Sequence, residues 1–470
     1  MTAQNPLATE KEEKLILKFA IPAIISMLVS SLYNIVDQIF IGQGVGMLGN
    51  AATNIAFPIS VLCTATALTF GIGSASNYNL ESGRGNTKKA TEIAGCGLFM
   101  LALCGTLIAV IVIVFLNPLL HLFGATPDVF PYAQDYAGIT ALGAPFLVFT
   151  TGGNHLIRAD RSPTYSMTSM LVGAIINTIL DPLFIFVFHW GIQGAAWATV
   201  IGQVASGIIV MVYFLRFRKM ELKFGMFRPK IRYIKSIVSL GMASGINQIA
   251  IAAVQIIMNN TLKYYGGMSE YGADIPLACV GVVSKVNMLF MAFCIGISQG
   301  CQPIWGFNYG AEHYDRVKKT YKRAFQACFM LGIIFFLCFQ LFPRSIISLF
   351  GSGEELYFKF AERYFKIFMF MTFMNGIQPM SSGFFTSIGK AKLGIVVSLT
   401  RQVLFLIPLV LIFPKFIGID GVMYAGPIAD IAAAVVAITF AVREHKKMMA
   451  MTCPLVEKYA TMSKTNEKAE

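Results

Sequence analysis

The chain has 470 residues, 56% hydrophobic and only 13% charged, with a formal net charge of +13. A soluble protein carries about 25% charged residues, so a fold bathed in water on all sides is excluded and a bilayer is the expected solvent. The positive balance does not mark a nucleic-acid binder, because the basic residues cluster in short segments between long apolar runs.

Residues 1–14 are polar and of mixed charge, with no cleavable leader pattern, and are expected to form a cytoplasmic N-terminal segment. Apolar stretches long enough to span a bilayer follow near 15–41, 50–80, 91–116, 130–157, 163–188 and 192–217. A basic connector at 218–234 leads to further stretches near 235–265, 275–308, 320–342, 357–387, 391–413 and 420–443. The pattern predicts an all-α polytopic membrane protein of twelve transmembrane helices, with an N-lobe over 15–217 and a C-lobe over 235–445. Residues 446–470 read as a polar, loosely ordered cytoplasmic tail. Pro22, Pro58, Pro145 and Pro408 inside spans are expected to kink their helices.

Lys and Arg orient the bundle. With the N-terminus inside, most of the 37 fall in the cytoplasmic segments, leaving Lys263, Arg344, Lys359, Arg363, Lys366 and Lys415 outside. Both termini are therefore expected in the cytoplasm.

The two halves repeat. Leu122-Phe123-Gly124 returns as Leu349-Phe350-Gly351, Gly191-Ile192-Gln193-Gly194 as Gly418-Ile419-Asp420-Gly421, and Gly83 as Gly310, each at an offset of 227. Six spans return the chain to its starting side, so the lobes share one orientation and are related by a pseudo-two-fold axis along the membrane normal. Such an architecture suits alternating access better than intramembrane catalysis.

A charge within a span costs roughly 2.5–3.5 kcal/mol, so each one needs a reason. Asp37 stands about 7 Å, Asp181 about 10 Å and Thr199 about 12 Å from the outer ends of their spans, a shared depth in the N-lobe. Asn177 is one turn from Asp181, and Tyr33 and Asn34 are one turn from Asp37. Two carboxyls in one low-dielectric pocket cannot both stay ionised without a cation, which makes them candidates to load a proton, or Na⁺ at Asp37 and Asp181. The alternative is that they only hydrogen-bond neighbouring helices. In the C-lobe, Lys285 lies near mid-membrane with Asp430 as its expected partner, in either a structural pair or a cavity-facing role. Arg401 sits near a span end and is expected to snorkel. The run Phe365, Phe368, Met369, Phe370, Met371, Phe373, Met374 fits either a pliable cavity wall or core and lipid packing.

No phosphate-binding loop or His-Glu-x-x-His zinc site occurs, and the histidines are scattered, so no cofactor and no enzymatic chemistry are expected. The nine cysteines are too dispersed to suggest a disulfide framework.

With Pro22, Asp37, the Gly83/Gly310 loops, Arg158-Ala159-Asp160, Asn177, Leu180-Asp181-Pro182-Leu183, Gly191–Gly194, Thr199, and Arg401 ahead of Pro408, the chain resembles the multidrug and toxic compound extrusion (MATE) family. Within that family it is most similar to the MepA-like and DinF-like bacterial branch, over residues 12–445. The resemblance implies export of amphipathic or cationic drugs against inward H⁺ or Na⁺, with a cation site at Asp37, Asn177, Asp181 and Thr199. Relatives of the NorM type carry acids in helices 7 and 10, where this chain has Asn247, Gln248, Gln255, Asn375 and Gln378, so coupling should rest on the N-lobe.

The expectation is thus a monomeric cation-coupled antiporter of the bacterial inner membrane, exporting drug-like molecules among membrane lipids. The alternatives are a lipid-linked saccharide flippase, which should show a more basic cavity, and an intramembrane enzyme or channel.

Overall fold

The computed structural model describes residues 5–272, 274–349 and 355–466, with every side chain among them except those of 224 and 452–466. Twelve long helices carry the fold. The first six are α1 (Glu12–Gly44), α2 (Met47–Gly83), α3 (Thr87–Val114), α4 (Phe130–Ala159), α5 (Pro163–Pro182) and α6 (Gly191–Val212). The second six are α7 (Ile231–Gly267), α8 (Asp274–Gly310), α9 (Tyr314–Leu341), the segmented α10 (Glu355–Phe368, Thr372–Asn375 and Ile377–Ser387), α11 (Ala391–Leu399) and α12 (Asp420–Asn466). Ten are long and apolar enough to cross a membrane on length and composition alone. The other two are α4, whose sequence is more polar, and α10, which is interrupted at Met369–Met371 and Gly376. Together they form the two six-helix lobes.

Proline acts differently at different sites. Pro22, Pro58 and Pro145 lie inside continuous helices, their lost hydrogen bonds tolerated within the bundle. Asp181-Pro182 instead ends α5, and wider i→i+5 turns carry the chain through Leu183–Val187. A similar stretch, Thr400–Leu406, precedes Pro408 and prolongs α11. The expected loose tail is corrected: α12 runs unbroken through 446 to Asn466, and residues 467–470 lie outside the described residues. Phe350 and Gly351, part of one repeat motif, also lie outside them. Of the aromatic and methionine run, Phe365, Phe368 and Met369 are core, while Phe370 is exposed. The eight cysteines among the described side chains are free.

The repeat is visible in the contacts. A Cβ on Gly83 would stand 2.1 Å from the Phe307 carbonyl oxygen, and one on Gly310 would stand 2.2 Å from that of Leu80. The 227-residue offset carries one contact onto the other. Around this axis, α8 meets α1 where Gly296 faces Ile24 and Gly300 faces Ala20. In the corresponding place α2 meets α7, where Gly73 faces Ile237 and where Gly241 and Gly245 face Thr69. Only glycine lets backbones approach this closely. All these contacts lie in the halves of the helices nearest the chain termini.

Polar ties cross the seam at the same level. Ser236 Oγ donates to Asn77 Oδ1 at 2.7 Å, and Asn308 Nδ2 donates to the Leu7 carbonyl at 2.9 Å. Arg158, only 2% exposed, donates to Gln299 Oε1 at 3.1 Å and to Ser166 Oγ at 3.0 Å, and its Nη2 stands 3.0 Å from His155 Nδ1.

Candidate functional site

In the N-lobe half remote from the seam, α1, α4, α5 and α6 converge. Asp37 comes from α1 seven residues before Gly44, and Asp181 from the last turn of α5. Asn177 lies one turn earlier on α5, the i,i+4 spacing that places two side chains on one face. Asp181 is 0%, Asn177 3% and Asp37 7% exposed, so both acids are enclosed by protein rather than turned to lipid. Asn177 Nδ2 donates to Asp181 Oδ1 at 3.3 Å and to Thr199 Oγ1 at 3.4 Å.

The two carboxyl groups are within hydrogen-bonding reach of each other, and among the described residues no Lys or Arg bonds either one. Asp37 Oδ1, Asp181 Oδ2 and Asn177 Oδ1 are buried acceptors without a hydrogen-bond donor. Two adjacent anions in such a place are held only if a proton or cation sits between them. The orphaned oxygens offer that cation an oxygen-only nest, the donor chemistry that suits H⁺ and hard cations.

Tyr33 is half-buried, in the electrostatic neighbourhood of Asp37. Asn34 is itself exposed and donates to the Ser30 carbonyl at 2.7 Å. Sequence reasoning missed Tyr136 of α4, which lies in the electrostatic neighbourhood of both acids and of Thr199. It enters α4 six residues after Phe130, about 9 Å deep, so the depth argument applied to Asp37 would have found it.

The C-lobe expectation is corrected. Asp430 does not pair with Lys285. Arg401 Nε donates to Asp430 Oδ1 at 2.6 Å, with both side chains buried. Arg401 therefore does not snorkel either: the i→i+5 turns of Thr400–Leu406 direct it inward to α12. Asp430 is buried at 3% exposure, and Lys285 is exposed on α8. A buried carboxylate takes the nearest fixed cation it can meet with good geometry, and guanidinium suits that task better than ammonium.

The MatE family model matches residues 22–183 and 267–412. The multidrug export protein MepA of Staphylococcus haemolyticus (strain JCSC1435) is 24% identical over 449 residues, covering 94% of this chain and 96% of that protein. The protein of the same name in Staphylococcus aureus (strain MSSA476) is 22% identical over 448 residues, with the same coverage. Among solved structures, a multidrug resistance MATE family transporter of the MOP superfamily, described in an outward-facing conformation, superposes with a TM-score of 0.87 at 22% identity. That match covers 94% of this chain and 98% of the other. A MATE structure in complex with MaD3S gives 0.88 at 22% identity, covering 95% and 98%.

Proposed function

The chain belongs to the MatE family, whose members are secondary transporters and not enzymes, and from that premise we propose that it is a cation-coupled antiporter exporting amphipathic or cationic small molecules. The observation that carries the coupling reading is the adjacent pair Asp37 and Asp181, enclosed together with acceptor oxygens left over and, among the described residues, no fixed cation. In this reading H⁺ or Na⁺ enters from outside and loads the pair, with Asn177 and Thr199 lending further oxygens. Loading removes the repulsion between the acids, lets α1 and α5 close on each other, and favours release of the exported molecule outward. Relatives named for multidrug export support the substrate class.

The orientation follows from the basic segments, which put both termini in the cytoplasm of a bacterial inner membrane, with one chain holding both lobes and acting as a monomer. The close-packed seam then lies toward the cytoplasm, where it blocks passage, while the acid pair lies toward the outside. Lobe boundaries at 15–217 and 235–445 belong to the same proposal.

Inverted vesicles with the pH and Na⁺ gradients imposed separately test it. Export should follow one gradient and vanish without it, and Asp37→Asn or Asp181→Asn should insert normally yet fail to export. Full efflux by both variants would overturn the coupling role.

A further inference from the structure

On the face bearing the termini, a cavity of about 280 Å³ opens between the N-terminal segment, α1, the turn after α4 and the connector after α6; it is lined by Pro6, Leu7, Lys18, Phe19, Arg161 and Lys219. Leu7 and Phe19 are buried and make an apolar floor. The three basic residues converge above it. Arg161 is held in a left-handed conformation at φ 64°, uncommon for a side-chain-bearing residue, in the turn that ends α4.

Two acids stand nearby, each with one oxygen bonded and one left without a donor. Asp160 Oδ2 accepts the Tyr213 hydroxyl at 2.7 Å and the Lys219 backbone N–H at 2.6 Å, which fixes the connector against the turn. Glu10 pairs with Lys18 at 3.0 Å. Lys219 Nζ donates to the Arg161 carbonyl at 2.8 Å, and among the described residues neither Arg161 nor Lys219 has an ion-pair partner. Burial, then the positive field of Arg161, holds the Lys219 ammonium below its usual range; Asp160 opposes this and Lys18 adds to it. Three crowded cations over an apolar floor thus outnumber the two acids beside them.

We propose that this cavity is a binding site for an anionic phosphate ester, presented by the headgroup of an acidic phospholipid. Phosphate supplies several acceptor oxygens for donors of this kind, and basic pockets between helices at a membrane surface suit lipid headgroups. The acyl chains have a path: Ile21 and Ile25 lie three and seven residues beyond Lys18 on one stripe of α1, and both are exposed. The site also straddles the seam. Pro6 and Leu7 belong to a segment fastened to the C-lobe, where Asn308 and Arg316 donate to the Leu7 carbonyl at 2.9 and 3.1 Å, whereas Lys18 and Arg161 belong to the N-lobe and Lys219 to the connector that leaves it. A bound headgroup therefore clips the lobes together at the termini face.

The test reads binding rather than transport, so it stands apart from the acid pair. Wild-type protein in nanodiscs is footprinted by amine acylation and mass spectrometry. Phosphatidylglycerol mixed into phosphatidylcholine should slow acylation of Lys18 and Lys219 by about 5-fold, equivalent to ~1 kcal/mol per basic residue. Lys223, on the same connector but outside the cavity, should change little. Equal shielding by glycerol phosphate in pure phosphatidylcholine would keep the phosphate chemistry and assign it to a soluble ester. Arg161→Gln should remove the shielding with the thermal midpoint preserved. Should that variant not fold, the wild-type footprint decides alone. Shielding by neither source, or shielding of Lys223 to the same extent, overturns the site.

Discussion

The two lobes bury carboxylates in opposite ways. In the C-lobe, Asp430 is neutralised by Arg401 at 2.6 Å, a pair complete within the fold. In the N-lobe, among the described residues, Asp37 and Asp181 have only each other, Asn177 and acceptors without donors. The helical repeat places similar elements around both sites, so the difference lies in side chains rather than architecture. Where the protein provides the counter-charge, the acid is structural and permanently satisfied. Where it withholds one, the acid is left to take a partner from the medium, which is what the proposed coupling role would require.

Breaking that contrast should produce its largest effect in the C-lobe. Arg401→Leu strands a buried carboxylate and should cost ~3–5 kcal/mol, whereas Arg401→Leu with Asp430→Leu should recover most of the loss. Thermal unfolding in detergent measures both; equal stability of single and double variants would dissolve the distinction. In the N-lobe the sign reverses. Asp181→Asn removes a repulsive partner, so stability should hold or rise while export falls about 100-fold, near 2.7 kcal/mol at 1.36 per tenfold. Vesicle efflux and a melting curve on the same preparation separate the two.

Away from both acids, Gly241→Ala forces a Cβ that would stand 1.7 Å from the Thr69 carbonyl oxygen. It should cost ~1–3 kcal/mol of lobe packing, seen as faster exchange of amides along α2 and α7. Smallest of the four, Thr199→Val deletes one oxygen near Asn177 and should weaken cation loading by ~1 kcal/mol, a few-fold in the half-saturating cation concentration. An unchanged half-saturation would remove Thr199 from the site.

Much of this was legible in the chain itself. Bilayer-length apolar runs have no soluble alternative, so the helix count could be read from composition. The 227-residue offset of Gly83 and Gly310 anticipated a contact that the structure realises in both directions. Asp37 and Asp181 met because depth from a membrane surface is an absolute coordinate that unlike helices share. Pairing within one plane has no such coordinate. Lys285 and Arg401 were both available cations, and only the inward turn of 400–406 decides that Asp430 meets Arg401. Tyr136 was hidden because a tyrosine in a span carries no charge to draw notice. Arg158 stood out only as part of the motif Arg158-Ala159-Asp160, and its bond to Gln299 across 141 residues follows from lobe packing alone.

The glycines where α1 meets α8 and α2 meets α7 carry a mechanical implication. Interlocked side chains behave like gear teeth, and separating them means dragging every tooth out of its socket. Here bare backbone lies against bare backbone, as between Gly300 and Ala20 or Gly73 and Ile237. Such surfaces resemble a plain bearing: they rest close when shut, yet present few protrusions to catch when one lobe rolls over the other. A molecule that opens and shuts with each turnover, as the proposed alternating access would require, benefits from a joint of low friction, and smoothness of this kind is supplied by residues that have almost no side chain at all.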